Sequence, residues 1–184
     1  MAFAMKTVLN SFAVIAAVGL LLSIASHLAA LRGTQGPLGN FTPMLHIGIF
    51  VVWIPTVLVA NRFTKNVPRK DLWKVMLRGC PDWMKYMTYA FFGYAIVNFL
   101  FFITVAPKGG GSFSMSPQVV RGFSGHWMAF YCAALAVLYS AARLWDEERE
   151  HYCPNGHMVQ TFAKFCDQCG LSVTEPGSKM HFNR

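Results

Sequence analysis

Charged residues are scarce in this chain of 184 residues. They make up 13% of the sequence, about half the share of an ordinary soluble domain, whereas 54% of the residues are hydrophobic. Acidic residues are missing from every long hydrophobic run, which excludes a carboxylate-bridged metal centre or an Asp/Glu proton relay there. The motifs of serine hydrolases, zinc metalloproteases, P-loop enzymes and dinucleotide-binding enzymes are also absent. These absences favour a non-enzymatic role.

The hydrophobic residues form four runs, at about 7–31, 44–61, 86–106 and 123–143. A helix needs about 20 apolar residues to cross a bilayer, and each run is close to this length. The first run is too long for the apolar part of a signal peptide and lacks a good cleavage site after it, so we expect it to be retained. The sequence therefore predicts an all-α integral membrane protein, with a four-helix transmembrane bundle in residues 1–145.

Basic residues are distributed unevenly between the two ends of these spans. With four spans, thirteen of the sixteen Lys and Arg residues fall on one side and only Arg32, Lys108 and Arg121 on the other. By the positive-inside rule, both termini are expected in the cytoplasm, with the spans in a bacterial plasma membrane. The basic face would also attract the anionic headgroups of membrane lipids.

The connection between the second and third spans carries seven of the basic residues. Lys70, Lys74 and Arg78 recur at every fourth position among apolar residues, and Gly79 and Pro81 end the segment. This pattern predicts an amphipathic cytoplasmic helix at about 69–79 that lies in the headgroup plane. The alternative is a solvated loop helix that packs against the C-terminal module.

That module, at 150–172, contains a compact set of metal-ligand residue types, and a tail at 173–184 follows it. Three residues separate Cys153 from His157 and two separate Cys166 from Cys169, so each pair suits a tight knuckle and all four suit one tetrahedral zinc ion. The stretches CPNGH and FCDQCG resemble the two knuckles of bacterial zinc-ribbon modules, with CPNGH in place of the usual CPxCG. The resemblance covers about 20 residues and implies a metal-stabilised pair of knuckles.

Four protein ligands close the coordination shell of zinc, so we expect a structural site and not a catalytic one. The alternatives are a disulfide or a redox-active CxxC pair, but a cytoplasmic position keeps thiols reduced. The other two cysteines have no partner at motif spacing. Cys132 is expected to be a packing residue in the fourth span, and Cys80 to lie in a turn before Pro81.

Three histidines, His27, His46 and His126, are expected at a similar depth near the outer ends of their predicted spans. His27 lies five residues before Arg32 and His126 five residues after Arg121, about 7.5 Å along each helix, and His46 lies a few residues after Pro43. Imidazoles from different helices at one depth could ligate the iron of haem b, hold copper or zinc, or form a proton site. The plainer alternative is that each histidine forms a hydrogen bond to a neighbouring helix. Rows of small residues along their helices predict that His27 and His126 face the bundle interior.

Three functions are consistent with these features. The first is a non-enzymatic interaction, assembly or accessory subunit of a membrane complex, whose ribbon docks a protein partner. The second is a haem b- or copper-binding membrane redox protein that uses the histidine layer. The third is a nucleic-acid or ribosome tether, which the acidic segment at 146–150 argues against, because it directly precedes the ribbon.

Overall fold

The computed structural model describes residues 2–65, 67–105, 116–145, 151–159 and 164–173. Two compact units make up the chain, Met1–Arg143 and Leu144–Arg184. The helices are α1 (Ala2–Leu31), α2 (Met44–Thr64), α3 (Leu72–Met76), α4 (Asp82–Val105) and α5 (Pro117–Leu144). They are followed by two short strands, β1 (His151–Tyr152) and β2 (Met158–Val159). The predicted tail beyond Val173 and the acidic segment at 146–150 lie outside the described residues.

Four helices, α1, α2, α4 and α5, are long and apolar enough to cross a membrane. This confirms the prediction of four helices with the length and composition of spans. Three of them begin earlier than their hydrophobic runs: α1 at Ala2, α4 at Asp82 and α5 at Pro117. Asp82 suits the positive end of the helix dipole and Pro117 suits a first helical position, so both favour helix initiation. Ser116 Oγ also accepts a hydrogen bond from Val119 N at 3.4 Å.

Helix α5 forms the centre of the first unit. Of its most hydrophobic 18-residue window, 78% is buried, compared with 11% for α4. Many of its buried side chains are small alanines, so neighbouring helices can approach closely. The buried alanines are Ala129, Ala133, Ala134, Ala136, Ala141 and Ala142. Asn98 of α4 reinforces this packing by donating from Nδ2 to the Arg121 carbonyl oxygen at 2.8 Å.

Tyr131 of α5 fills a narrow space where α1, α2 and α5 meet. Its side chain is buried and its hydroxyl donates to the Leu45 carbonyl oxygen at 2.8 Å. A Cβ atom at Gly19 would collide with the Tyr131 ring, and a Cβ atom at Gly48 would collide with its hydroxyl oxygen. Close approach of the three helices therefore explains glycine at both positions.

The connection between α2 and α4 folds back onto α5. Regular α-helix there is limited to the five residues of α3, after a 3-10 turn at Arg69–Asp71, and is thus shorter than the predicted 69–79 segment. Gly79 N donates to Ser140 Oγ at 2.9 Å, and Cys80 Sγ donates to the Ala136 carbonyl oxygen at 3.1 Å. These contacts hold the apolar side of the connection on the bundle. Its basic side chains at positions 70, 74 and 78 are exposed.

Cys80 is expected to be a poorly reactive thiol. Burial raises its pKa from the usual 9.0 to about 11, so its thiolate fraction at pH 8 is roughly a hundredfold below that of an ordinary thiol. We expect N-ethylmaleimide at pH 8 to leave Cys80 unmodified in the folded protein and to modify it in SDS, as peptide mass spectrometry would show. Equal modification under both conditions would contradict this assignment.

Candidate metal centre and the histidine positions

The first knuckle of the C-terminal unit is the turn of a small hairpin. Strands β1 and β2 are antiparallel, with Tyr152 opposite Met158. Inside the turn, Cys153 N donates to the His157 carbonyl oxygen at 2.9 Å, and Gly156 N donates to the Cys153 carbonyl oxygen at 2.8 Å. Gly156 has a φ of 77°, a conformation that favours glycine. The turn places Cys153 Sγ 3.6 Å from His157 Nδ1.

The second knuckle repeats this design. Cys166 N donates to the Leu171 carbonyl oxygen and Gly170 N to the Cys166 carbonyl oxygen, each at 2.8 Å. Gly170 has a φ of 70°, and an antiparallel bridge between Phe165 and Ser172 closes the loop. Gly156 and Gly170, one in each knuckle motif, therefore occur for the same structural reason: each occupies a turn position with a positive φ, which favours glycine.

The two knuckles bring four potential ligands together. The donor atoms of Cys153, His157, Cys166 and Cys169 all lie within 4.8 Å of one another. Cys153 Sγ is 3.7 Å from Cys169 Sγ, and Cys166 Sγ is 3.7 Å from His157 Nδ1. Tetrahedral zinc with usual bond lengths requires separations of about 3.8 Å between sulfurs and about 3.6 Å between sulfur and nitrogen. The cluster can therefore hold a metal ion and has the dimensions that zinc needs, in agreement with the predicted ligand set.

The described residues of this unit after α5 form only a small interior. Its buried cluster consists of Cys153, Val159 and Cys166, with Cys169 and Val173 packed against them. Burial opposes ionisation of the Cys153 thiol, but hydrogen bonds from the backbone of His157 and Asn155 outweigh it and lower the pKa of this thiol. A core of this size cannot stabilise a fold alone, so a bound metal would supply most of the folding free energy.

Two large apolar side chains point away from this interior. Phe165 is 65% exposed and Leu171 is 42% exposed, and they flank the Cys166–Cys169 knuckle on both sides. In the sequence, Phe165 is recognisable only as part of the FCDQCG pattern. The exposure of Phe165 depends on the direction of its side chain relative to the knuckle. The spacing of the metal-ligand residues does not determine that direction.

His27 of α1 is buried in the bundle, with both ring nitrogens engaged. Its Nδ1 lies 2.7 Å from Ser124 Oγ on α5, and its Nε2 lies 2.5 Å from the Tyr94 hydroxyl on α4. Ser124 Oγ in turn donates to the Arg121 carbonyl oxygen at 3.1 Å. All these groups are satisfied if Tyr94 donates to Nε2 and Nδ1–H donates to Ser124. His27 thus joins three helices through hydrogen bonds.

His46 and His126 approach each other directly. His126 Nε2 of α5 lies 3.4 Å from His46 Nδ1 of α2, and the rings are nearly perpendicular, with centroids 5.4 Å apart. Trp127 Nε1 donates to the same His46 Nδ1 at 3.1 Å. The structure therefore brings together two of the three histidines, while His27 has other partners. In the described parts of the chain, only the Cys/His cluster gathers three or more potential metal ligands.

The fold and the site together define a helical protein with four helices able to span a membrane and a C-terminal cluster able to hold a metal ion. Comparison with protein-family models, with curated proteins and with solved structures gives no match. The functional assignment therefore depends on the geometry of this chain.

Proposed function

We propose that the protein is an assembly or accessory subunit of a bacterial plasma-membrane complex, with a cytoplasmic zinc ribbon that docks a protein partner. The observation that carries this proposal is the exposed apolar pair Phe165 and Leu171 on a knuckle whose conformation four metal ligands fix. Both termini lie in the cytoplasm in this scheme, because the basic residues gather on that side.

The ligand set supports zinc in a structural role. Three cysteines and one histidine fill all four tetrahedral positions, which leaves no coordination site for a substrate or an activated water molecule. Cysteine ligands also suit a soft or borderline ion better than magnesium or calcium, which prefer oxygen. A metal centre of this kind stabilises a surface and does not supply a reaction.

That surface has the properties of a docking site. Aromatic side chains that pack into a partner contribute much of the affinity of an interface, and a rigid surface loses little conformational entropy on binding. Phe165 and Leu171 are displayed by a metal-bound turn and need no rearrangement. The exposed basic side chains of the α2–α4 connection would meanwhile face anionic membrane lipids.

The substitution Phe165→Ala tests this proposal. We expect the variant to keep one zinc ion. Its affinity for the partner should fall at least about tenfold, because an anchoring aromatic residue contributes roughly 2 kcal/mol or more to binding. Purification of tagged protein from its own membranes in mild detergent, followed by quantitative mass spectrometry and metal analysis, measures both quantities.

Gln168→Ala is the matched control, since Gln168 is exposed on the same knuckle and is polar. It should keep both the zinc and the partner. Identical sets of co-purified proteins for the native chain and both variants would refute docking through this surface.

A haem b- or copper-binding redox protein is the second candidate. The approach of His46 to His126 favours it, since two imidazoles from different helices share one position. Absorbance spectra and metal analysis of the purified protein test this function: a Soret band or bound copper supports it, and colourless protein with one zinc ion rejects it.

A further inference from the structure

We propose that His46 and His126 form a binding site for one copper(I) ion, at the end of the bundle where α2 begins. This site is separate from the zinc ribbon and rests on the second candidate function. It narrows the predicted layer of three histidines to two and leaves His27 as an interhelical hydrogen-bonding residue.

The spacing of the two donor atoms is the first argument. Two imidazole nitrogens bound to one ion at about 2.0–2.1 Å, with a tetrahedral angle between them, are about 3.3–3.4 Å apart. His126 Nε2 and His46 Nδ1 are 3.4 Å apart. This separation is long for a hydrogen bond between nitrogens, for which about 2.9–3.0 Å is usual, but it suits two ligands of one tetrahedral ion whose other positions are filled from solvent at the exposed side of His46.

The protonation state of His46 also suits a metal ligand. Trp127 Nε1 carries a hydrogen that it can only donate, and it points to His46 Nδ1 at 3.1 Å. That nitrogen must therefore carry its lone pair, as a metal ligand does. A bound ion would take the place of the Trp127 indole N–H as the partner of the Nδ1 lone pair. His126 Nε2 would supply the second lone pair to the ion.

The surrounding side chains are aromatic. Ring centroids of Phe50 and Phe123 lie 6.2 and 6.4 Å from that of His46, and Phe130 lies 6.2 Å from His126. Trp53, one turn further along the α2 row of His46 and Phe50, packs on Phe130, and its buried Nε1 has no hydrogen-bond partner among the described residues. These rings pack around the pair, and the exposed ring of His46 leaves a route for the ion.

The charges near the two histidines favour a metal ion with a single positive charge. No Asp or Glu occurs in residues 1–70 or 83–145, so neither helix carries a carboxylate that could neutralise a divalent ion. Arg121, five residues before His126, adds positive charge to the same end of α5. At this end of α5, which carries a cation and no carboxylate, a double positive charge is less favourable than a single one. Among first-row metals that imidazole binds well, copper(I) carries the single charge that this position tolerates.

Copper titration of the zinc-loaded, full-length protein tests the site. Under anaerobic reducing conditions, we expect the native chain to bind one more equivalent of copper(I) than His46→Ala or His126→Asn, in competition with a chromogenic copper(I) chelator. X-ray absorption should show a nitrogen-ligated copper component in the native chain that is missing from His46→Ala and His126→Asn, which distinguishes this site from copper taken up by the ribbon cysteines. His27→Gln should retain the additional equivalent.

Thermal unfolding establishes that the variants remain folded; His46 is exposed, so His46→Ala keeps the comparison valid if His126→Asn does not fold. Equal copper binding by all variants, or copper bound only through sulfur, would overturn the proposal. Histidine-dependent uptake of zinc in preference to copper(I) would overturn the choice of a monovalent ion.

The outcomes separate the site from the function. If protein purified from cells contains neither haem nor copper but takes up one histidine-dependent copper(I) ion, the site stands and the redox function is rejected. Zinc content and partner binding report on the ribbon and should not change in any histidine variant at positions 46 or 126.

Discussion

Cys166→Ser is expected to reduce the zinc content of the purified protein from one ion to nearly none and to unfold the C-terminal unit. Binding of structural zinc contributes on the order of 10–16 kcal/mol in small zinc modules. In the described part of this unit, the buried cluster consists of Cys153, Val159 and Cys166, which cannot replace that contribution. A serine hydroxyl is not a competent zinc ligand at neutral pH, so the loss is nearly complete.

Metal analysis and limited proteolysis measure this result. Residues 151–173 should become sensitive to protease, while the helical circular dichroism of the first unit is retained, because that unit has its own interior. Partner proteins should be lost together with zinc, unlike in Phe165→Ala, where zinc remains.

Cys80→Ser is the matched control for this experiment. It makes the same chemical change at a buried cysteine outside the cluster, and it should leave the zinc content at one ion. If Cys166→Ser retained its zinc, or if Cys80→Ser lost it, the assignment of the four ligands would be wrong.

Gly48→Ala is expected to destabilise the helical unit by about 1–3 kcal/mol, and Tyr131→Phe to remove most of that penalty. The added Cβ would collide with the Tyr131 hydroxyl oxygen, whereas the next nearest atom, Cζ, would be at an ordinary 3.6 Å. Tyr131→Phe alone should cost about 1 kcal/mol, through loss of its hydrogen bond to Leu45. The double variant should therefore be close to Tyr131→Phe in stability.

Gly19→Ala supplies the contrast. Its Cβ would collide with Cε1, Cδ1 and Cζ of the same ring, and phenylalanine keeps all three atoms. Tyr131→Phe should not restore Gly19→Ala. Unfolding in mixed detergent micelles gives the coupling energies of the two double-mutant cycles. Equal rescue of both glycine variants, or of neither, would contradict the described packing of Tyr131.

Much of this architecture follows from the sequence. The four hydrophobic runs correspond to four long helices. A long uncharged segment in lipid has few alternatives to a helix, because a helix satisfies all of its own backbone hydrogen bonds. The grouping of the four potential metal ligands followed from their spacing, since a knuckle brings together side chains that are three or four positions apart. Helix starts were less predictable: Asp82 and Pro117 lie outside the hydrophobic runs and begin their helices through local backbone effects.

The pairing of histidines could not be predicted, for a geometric reason. His46 lies two residues into α2, whereas His126 lies nine residues into α5, and yet the two rings are in contact. Distance along each helix therefore does not give their relative depth, because α5 extends beyond the start of α2. Which face each helix turns to its neighbour depends on side-chain packing, such as the fit of Tyr131 between Gly19 and Gly48.

The central position of α5 has a consequence for biosynthesis. Contacts of this helix with the other three long helices include Tyr131 against Gly19 and Leu45, and Arg121 with Asn98. It is also the last of the long helices to leave the ribosome. A chain that ends before residue 117 therefore lacks the helix against which the other three long helices pack, and we expect it not to form the packed helical unit.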